Sequence, residues 1–70
     1  MQALIKHDAD STPIWGFVIF EPKGWKIIEN KARPFVFTDA ITIEDIDSLS
    51  GGMATKMGFQ LKKISIEVDG

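Results

Sequence analysis

Seventy residues with eight basic and ten acidic side chains, a net charge of −2 and a pI near 5.1 make one small domain, residues 1–70, whose average field does not recruit nucleic acid. The absence of cysteine excludes a disulfide framework and a thiolate zinc site and fits a reducing, cytoplasmic setting. The longest apolar run, Ile14 to Phe20, is far short of the roughly 20 residues a bilayer span needs, and no charged segment with a long apolar stretch follows Met1, so neither a membrane segment nor a signal peptide is expected.

Met1 to His7 has a strand rhythm, with Ala3, Ile5 and His7 on one side and Gln2, Leu4 and Lys6 on the other. The polar run Asp8 to Pro13 follows as a loop, because Asp and Ser compete locally for backbone hydrogen bonds and proline cannot donate one. Ile14 to Phe20 is apolar on both faces: Trp15, Phe17 and Ile19 point one way, Ile14, Val18 and Phe20 the other. That pattern belongs to a central strand, and Gly16 leaves room for a helix side chain or an aromatic neighbour to approach. Glu21-Pro22-Lys23-Gly24 is a strong turn signal, so Trp25 to Glu29 returns as the second strand of a hairpin.

Asn30 to Pro34 is a polar connection, and Phe35 to Thr38 reads as a short strand after it, the proline at its mouth suiting an edge or a strand start. From Thr42 the period changes. Ile43, Ile46, Leu49, Met53, Ala54 and Met57 share one helical face, an arc of about 140°. Thr42 is a good N-cap; Glu44, Asp45 and Asp47 suit the N-terminal end, Lys56 the last turn, and Gly58 a left-handed C-cap. Gly51 and Gly52 inside this stretch cost roughly 1 kcal/mol each relative to alanine, and a break there is the alternative. The unbroken apolar phase favours one helix over about 43–57. Beyond it, Phe59 and Leu61 share one parity and Ile64, Ile66 and Val68 the other. A β-bulge at Lys62-Lys63 would bring both sets onto one face; two separate strands are the other solution.

The expected fold is therefore α+β: a small, mainly antiparallel sheet of four to five strands in the order β-β-β-β-α-β, with one helix packed on one face. No chemical motif stands out. His7-Asp8-Ala9-Asp10 lacks the converging ligands a divalent metal needs, and neighbours in one loop rarely aim at a single reacting atom. Ser50-Gly51-Gly52 has the wrong order for a phosphate loop, and Glu44, Asp45 and Asp47 occupy different sides of the helix. Accordingly no catalytic residue, metal or cofactor is expected.

Function is argued from an excess of apolar surface. One helix covers one side of the sheet, while the strands carry large side chains on both. A patch including Trp15 and Phe17, with Trp25 or Phe35 beside it, is expected to stay accessible, flanked by Lys26 and Arg33 as rim charges. The leading expectation is a non-catalytic protein-interaction module: a homodimer, or a small adaptor or inhibitor docking its apolar sheet face or an edge strand on a larger protein. The alternative is single-stranded nucleic-acid binding through the basic, aromatic hairpin around 23–35, where Lys23, Lys26, Lys31 and Arg33 face only Glu29. Four carboxylates between Asp39 and Ser50 form an opposite, acidic pole. Two solvated surfaces explain this polarity most simply, and steering of a partner is the sharper explanation.

Overall fold

The computed structural model describes residues 1–65, and they form β1 (Gln2–His7), β2 (Pro13–Glu21), β3 (Gly24–Asn30), β4 (Val36–Phe37), α1 (Ile43–Ser50), α2 (Met53–Lys56) and β5 (Gln60–Lys63). The sheet is antiparallel throughout, as the short connections require. β2 and β3 form the longest pairing, from Trp15 opposite Asn30 to Glu21 opposite Gly24, closed by the two residues Pro22 and Lys23. β1 runs beside β2 only from Leu4 to His7. At Gln2 and Ala3 it pairs with Lys63 and Lys62 of β5 along one edge and with Phe37 and Val36 of β4 along the other. The two-residue β4 thus takes the place beside β1 that β2 vacates after Gly16, and the sheet splits along that seam.

The core lies between sheet and helices. Leu4, Ile14, Val18, Ile27 and Phe37 from the strands meet Ile46, Ala54 and Phe59, all buried. Leu4 and Ile46 are the largest side chains with no exposure at all. Trp25, Ile41, Ile43, Met53, Met57 and Leu61 close the margins of this cluster. Gly16 lies opposite Leu4, and a Cβ built on it would stand 2.8 Å from the Leu4 Cβ and 3.4 Å from the Phe59 ring. The aromatic neighbour expected beside this glycine is Phe59. Lys6 also points to the helix side, where its Nζ donates to the Glu29 carboxylate at 2.6 Å and to the Met57 carbonyl at 3.0 Å, 4.8 Å from the centre of the Phe59 ring.

The single helix expected over 43–57 is broken. Gly51 (φ 66°) and Gly52 (φ 82°) are both left-handed, and the Gly51 and Gly52 N–H groups turn back to the Asp47 carbonyl, which ends α1. Gly58 (φ 87°) ends the second segment in the same way, with the Phe59 N–H on the Ala54 carbonyl at 2.9 Å. At the start of α1 the Thr42 hydroxyl accepts the Asp45 N–H while the Asp45 carboxylate accepts the Thr42 N–H, a reciprocal cap whose loss costs about 1 kcal/mol. α2 has only glycine at its own N-cap. Asp47 of α1 substitutes for it, accepting both the Thr55 N–H at 3.0 Å and the Thr55 hydroxyl.

These bonds, the Thr55 hydroxyl foremost, hold the Asp47 carboxyl below the usual carboxylate range. A depressed folded pKa means that the clamp stabilises the fold above the unfolded value, about 4, and is lost as pH falls through the lowered one. Asp47→Asn is therefore expected to flatten the acid limb of the stability profile, followed by thermal melts from pH 6 to pH 2. Asp10 and Asp39, lowered by Thr12 and by the terminal ammonium respectively, add acid sensitivity of the same sign that the variant keeps. An unchanged acid limb in the variant would remove this role from Asp47. Of the 59–68 stretch, β5 accounts for Gln60–Lys63, and it pairs with β1 residue for residue from Gln60 opposite Ile5 to Lys63 opposite Gln2, so the bulge expected at Lys62-Lys63 is not formed; the alignment of Ile66 and Val68 lies outside the described residues.

Candidate functional site

Alternation along the strands divides the expected site residues between two faces. On the side away from the helices, Asn30, Trp15, Ile5 and Gln60 form one row across β3, β2, β1 and β5. The next row holds Ile28 and Phe17, then, across the seam, Val36, Ala3 and Lys62. A third pairs Lys26 with Ile19. Trp15, Phe17, Ile5 and Ile28 are half-buried by one another and by the sheet, Ile19 and Val36 are exposed, and none of the six belongs to the core or to the apolar margin packed against it. Both helices lie on the opposite face with the core. The shortest axis of the molecule is 18 Å, the depth of one sheet and one helical layer, a helix alone being about 10 Å across.

Trp25 is not part of this outer surface. Its partner in the hairpin is Phe20, so its ring lies on the helix side, edge-on to Phe20 at 5.2 Å and stacked on Phe37 at 6.3 Å. Phe35 occupies the seam itself, 5.0 Å from the outer Phe17 and 5.0 Å from the inner Phe37, where it plugs the gap left by the parting of β1 and β2. Lys26 stands on the outer face beside Ile19 and is exposed; Arg33 is exposed in the connection after β3. The structure therefore brings together Trp15, Phe17, Lys26 and, at the border, Phe35. It separates Trp25, and the basic, aromatic hairpin presents no single stacking surface.

No family model, curated protein or solved structure matches the chain. The chemistry of the surface is accordingly what there is to weigh. Its centre is apolar and its border is polar, with Asn30, Gln60, Lys26 and Lys62 around it and Glu21 continuing the outward row of Ile19 at the hairpin end. From Lys26 to Asn30 and from Trp15 to Ile19 no outward-facing side chain is a carboxylate. Asp8 and Asp10 order the loop at the opposite end of β2 from Glu21. Asp8 accepts the Ala9 N–H and lies 3.8 Å from the Lys31 ammonium; Asp10 accepts the Thr12 N–H at 3.0 Å, and its carboxyl is held low chiefly by Thr12. Among the described residues no three His, Cys, Asp or Glu side chains converge as a metal site. Ser50, considered with Gly51 and Gly52 as a phosphate loop, turns its hydroxyl inward to the Ile46 carbonyl at 2.7 Å.

Ile5, Ile28, Val36 and Lys62 are members of the surface that the strand pattern alone does not single out. Each needs the pairing register, which sets Ile5 beside Trp15, Ile28 beside Phe17, and both Val36 and Lys62 beside Ala3.

Proposed function

We propose that the protein is a non-catalytic interaction module that presents the outer face of its sheet to another protein chain. One observation carries this: six apolar side chains, two of them aromatic, lie together on a face that takes no part in the core and that neither helix reaches. An apolar centre with a polar border is the anatomy of a protein interface, and tryptophan at such a centre is the residue type whose removal costs most. Nucleic acid is the weaker fit. Trp15 and Phe17 are the aromatic rings within this face, with Phe35 at its border, the space between the lysines is aliphatic, and the chain is acidic overall.

The test is a folded variant with a polar face, Phe17→Ser combined with Ile28→Ser. Neither residue belongs to the core, so circular dichroism should stay close to wild type, whereas proteins retained from native host lysate by the immobilised wild type should be lost. Light scattering on both forms includes a second copy among the partners examined. Retention of the same proteins by both forms, or of none by either with both monomeric, removes the proposal.

A further inference from the structure

β3 ends the sheet: it pairs with β2 along one edge and, among the described residues, with no strand along the other. Which of its backbone groups face that open edge follows from the pairing on the far side of β2. The Asp8 N–H donates to the Thr12 carbonyl at 2.9 Å, so Lys6 with Ile14 and Leu4 with Gly16 are the hydrogen-bonded pairs, and Pro13, which has no N–H, falls at a pair without such bonds. Ile14 and Gly16 thus turn their backbone groups to β1, and Trp15, Phe17 and Ile19 turn theirs to Asn30, Ile28 and Lys26. Trp25, Ile27 and Glu29 are left with N–H and C=O directed out of the sheet, and no described residue bonds to them. Ile27 is the costly one. It is 5% exposed, so its N–H and C=O are nearly shut off from water without a partner, a state in which more than about 90% of backbone groups are paired. The edge also lacks common forms of protection: β3 contains no proline, and its register with β2 runs from Trp15 opposite Asn30 to Glu21 opposite Gly24 without a bulge.

We infer that β3 pairs antiparallel with β3 of a second copy about a two-fold axis at Ile27. Ile27 then meets Ile27, Trp25 meets the partner's Glu29 and Glu29 the partner's Trp25, so both free backbone groups of all three residues are bonded. Neighbouring registers fail. Centred on Lys26, two ammonium groups stand directly opposite and Glu29 faces Lys23 of the turn; centred on Ile28, Trp25 faces Lys31 beyond the strand. The side chains suit the register at Ile27. Glu29 accepts Lys6 through Oε2 on the helix side, which leaves Oε1 for the Trp25 indole N–H of the other copy, a donor with no acceptor among the described residues. On the outer side Lys26 lies along the partner's Ile28. A foreign strand would have to supply this pattern, whereas a second copy already carries it. The pairing keeps both outer faces on one side of a continuous sheet, so it enlarges the apolar surface instead of covering it and stands independently of the interaction reading above.

Light scattering should give a dimer of the 7.8 kDa chain. Glu29→Pro deletes an N–H that bonds nothing within the chain and, by symmetry, two hydrogen bonds between copies, so a dilution series should show the dissociation constant raised at least about thirtyfold. Glu29→Gln, which keeps that N–H, should stay dimeric, and so should the Phe17→Ser, Ile28→Ser variant, whose changes lie on the outer face. Cysteine, which the chain lacks, reads the register. Under a mild oxidant a mixture of Lys26→Cys and Ile28→Cys should link across the axis, and neither variant should link to itself, because like positions lie on diagonals about 7–8 Å apart. A monomeric wild type, a dimer unmoved by Glu29→Pro, or linkage within either cysteine variant alone overturns the inference. If Glu29→Pro fails to fold, the cysteine mixture decides: linkage of the mixture alone supports the dimer, and no linkage overturns it.

Discussion

Ile46→Ala is expected to leave little folded protein at room temperature. Ile46 is wholly buried, the one apolar side chain of α1 that is, and it packs into the cluster of Leu4, Val18, Ile27 and Phe59. Truncating a buried isoleucine costs about 2–5 kcal/mol, from lost burial and from the void that neighbours fill only in part. A core of this size supplies a net stability on the order of 3–5 kcal/mol, so one substitution consumes most of it. The thermal midpoint should fall by at least about 10 °C, at roughly 4–8 °C per kcal/mol for a chain of this length. Leu49→Ala is the control: it lies one turn on in the same helix but is 45% exposed, and its truncation should change stability by only about 0.5 kcal/mol. Melts followed by circular dichroism decide between them. Equal midpoints would mean that α1 is not held through its buried stripe.

Local signals in the sequence carried most of the fold. Alternation located the first strand, a run apolar on both faces the second, Pro22 and Gly24 the hairpin and its returning strand, and Thr42 and Gly58 marked where the helical region begins and ends. The break at Gly51-Gly52 was hidden because the apolar phase survives it: Met53, Ala54 and Met57 still reach the core after the axis bends, so an unslipped period does not prove an unbroken helix. The chemistry that gave it away is the same left-handed glycine closure assigned to Gly58, used one step earlier.

Trp25 shows a different limit. With Phe20 on the face opposite Trp15, a two-residue connection at Pro22-Lys23 places Trp25 beside Phe20 and so away from Trp15. Its position follows from turn length, not from strand pattern. The seam had no local signal. It arises because β1 exchanges one neighbour for another along its own length, Gly16 of β2 opposite Leu4 giving way to Val36 of β4 opposite Ala3, and only the resulting gap explains why Phe35 stands between the two faces.

Gly16→Ala should destabilise the protein, although propensity alone gives the opposite sign. Glycine within a strand or helix is worse than alanine by roughly 0.5–1 kcal/mol, because the unfolded chain gives up more freedom, and Gly16 does not need a left-handed backbone. Against that gain stands the Leu4 Cβ, 2.8 Å from where the new methyl would lie, with the Leu4 Cδ1 at 3.1 Å. Opposed Cβ atoms on paired strands are normally about 4.5–5.5 Å apart. A Cβ is fixed to the backbone, so no rotamer of Leu4 relieves the contact; β1 and β2 must part where β1 already begins to leave β2. Overpacking of this kind costs about 1–3 kcal/mol, which outweighs the propensity gain, and Gly16→Val should cost more. The expected result is a midpoint lowered by up to about 20 °C. Adding Leu4→Ala should not restore it, since that change keeps the offending atom and removes core volume besides. A Gly16→Ala protein that melts at or above the wild-type temperature would show that the strands separate freely at this point and that close approach is not what keeps glycine there.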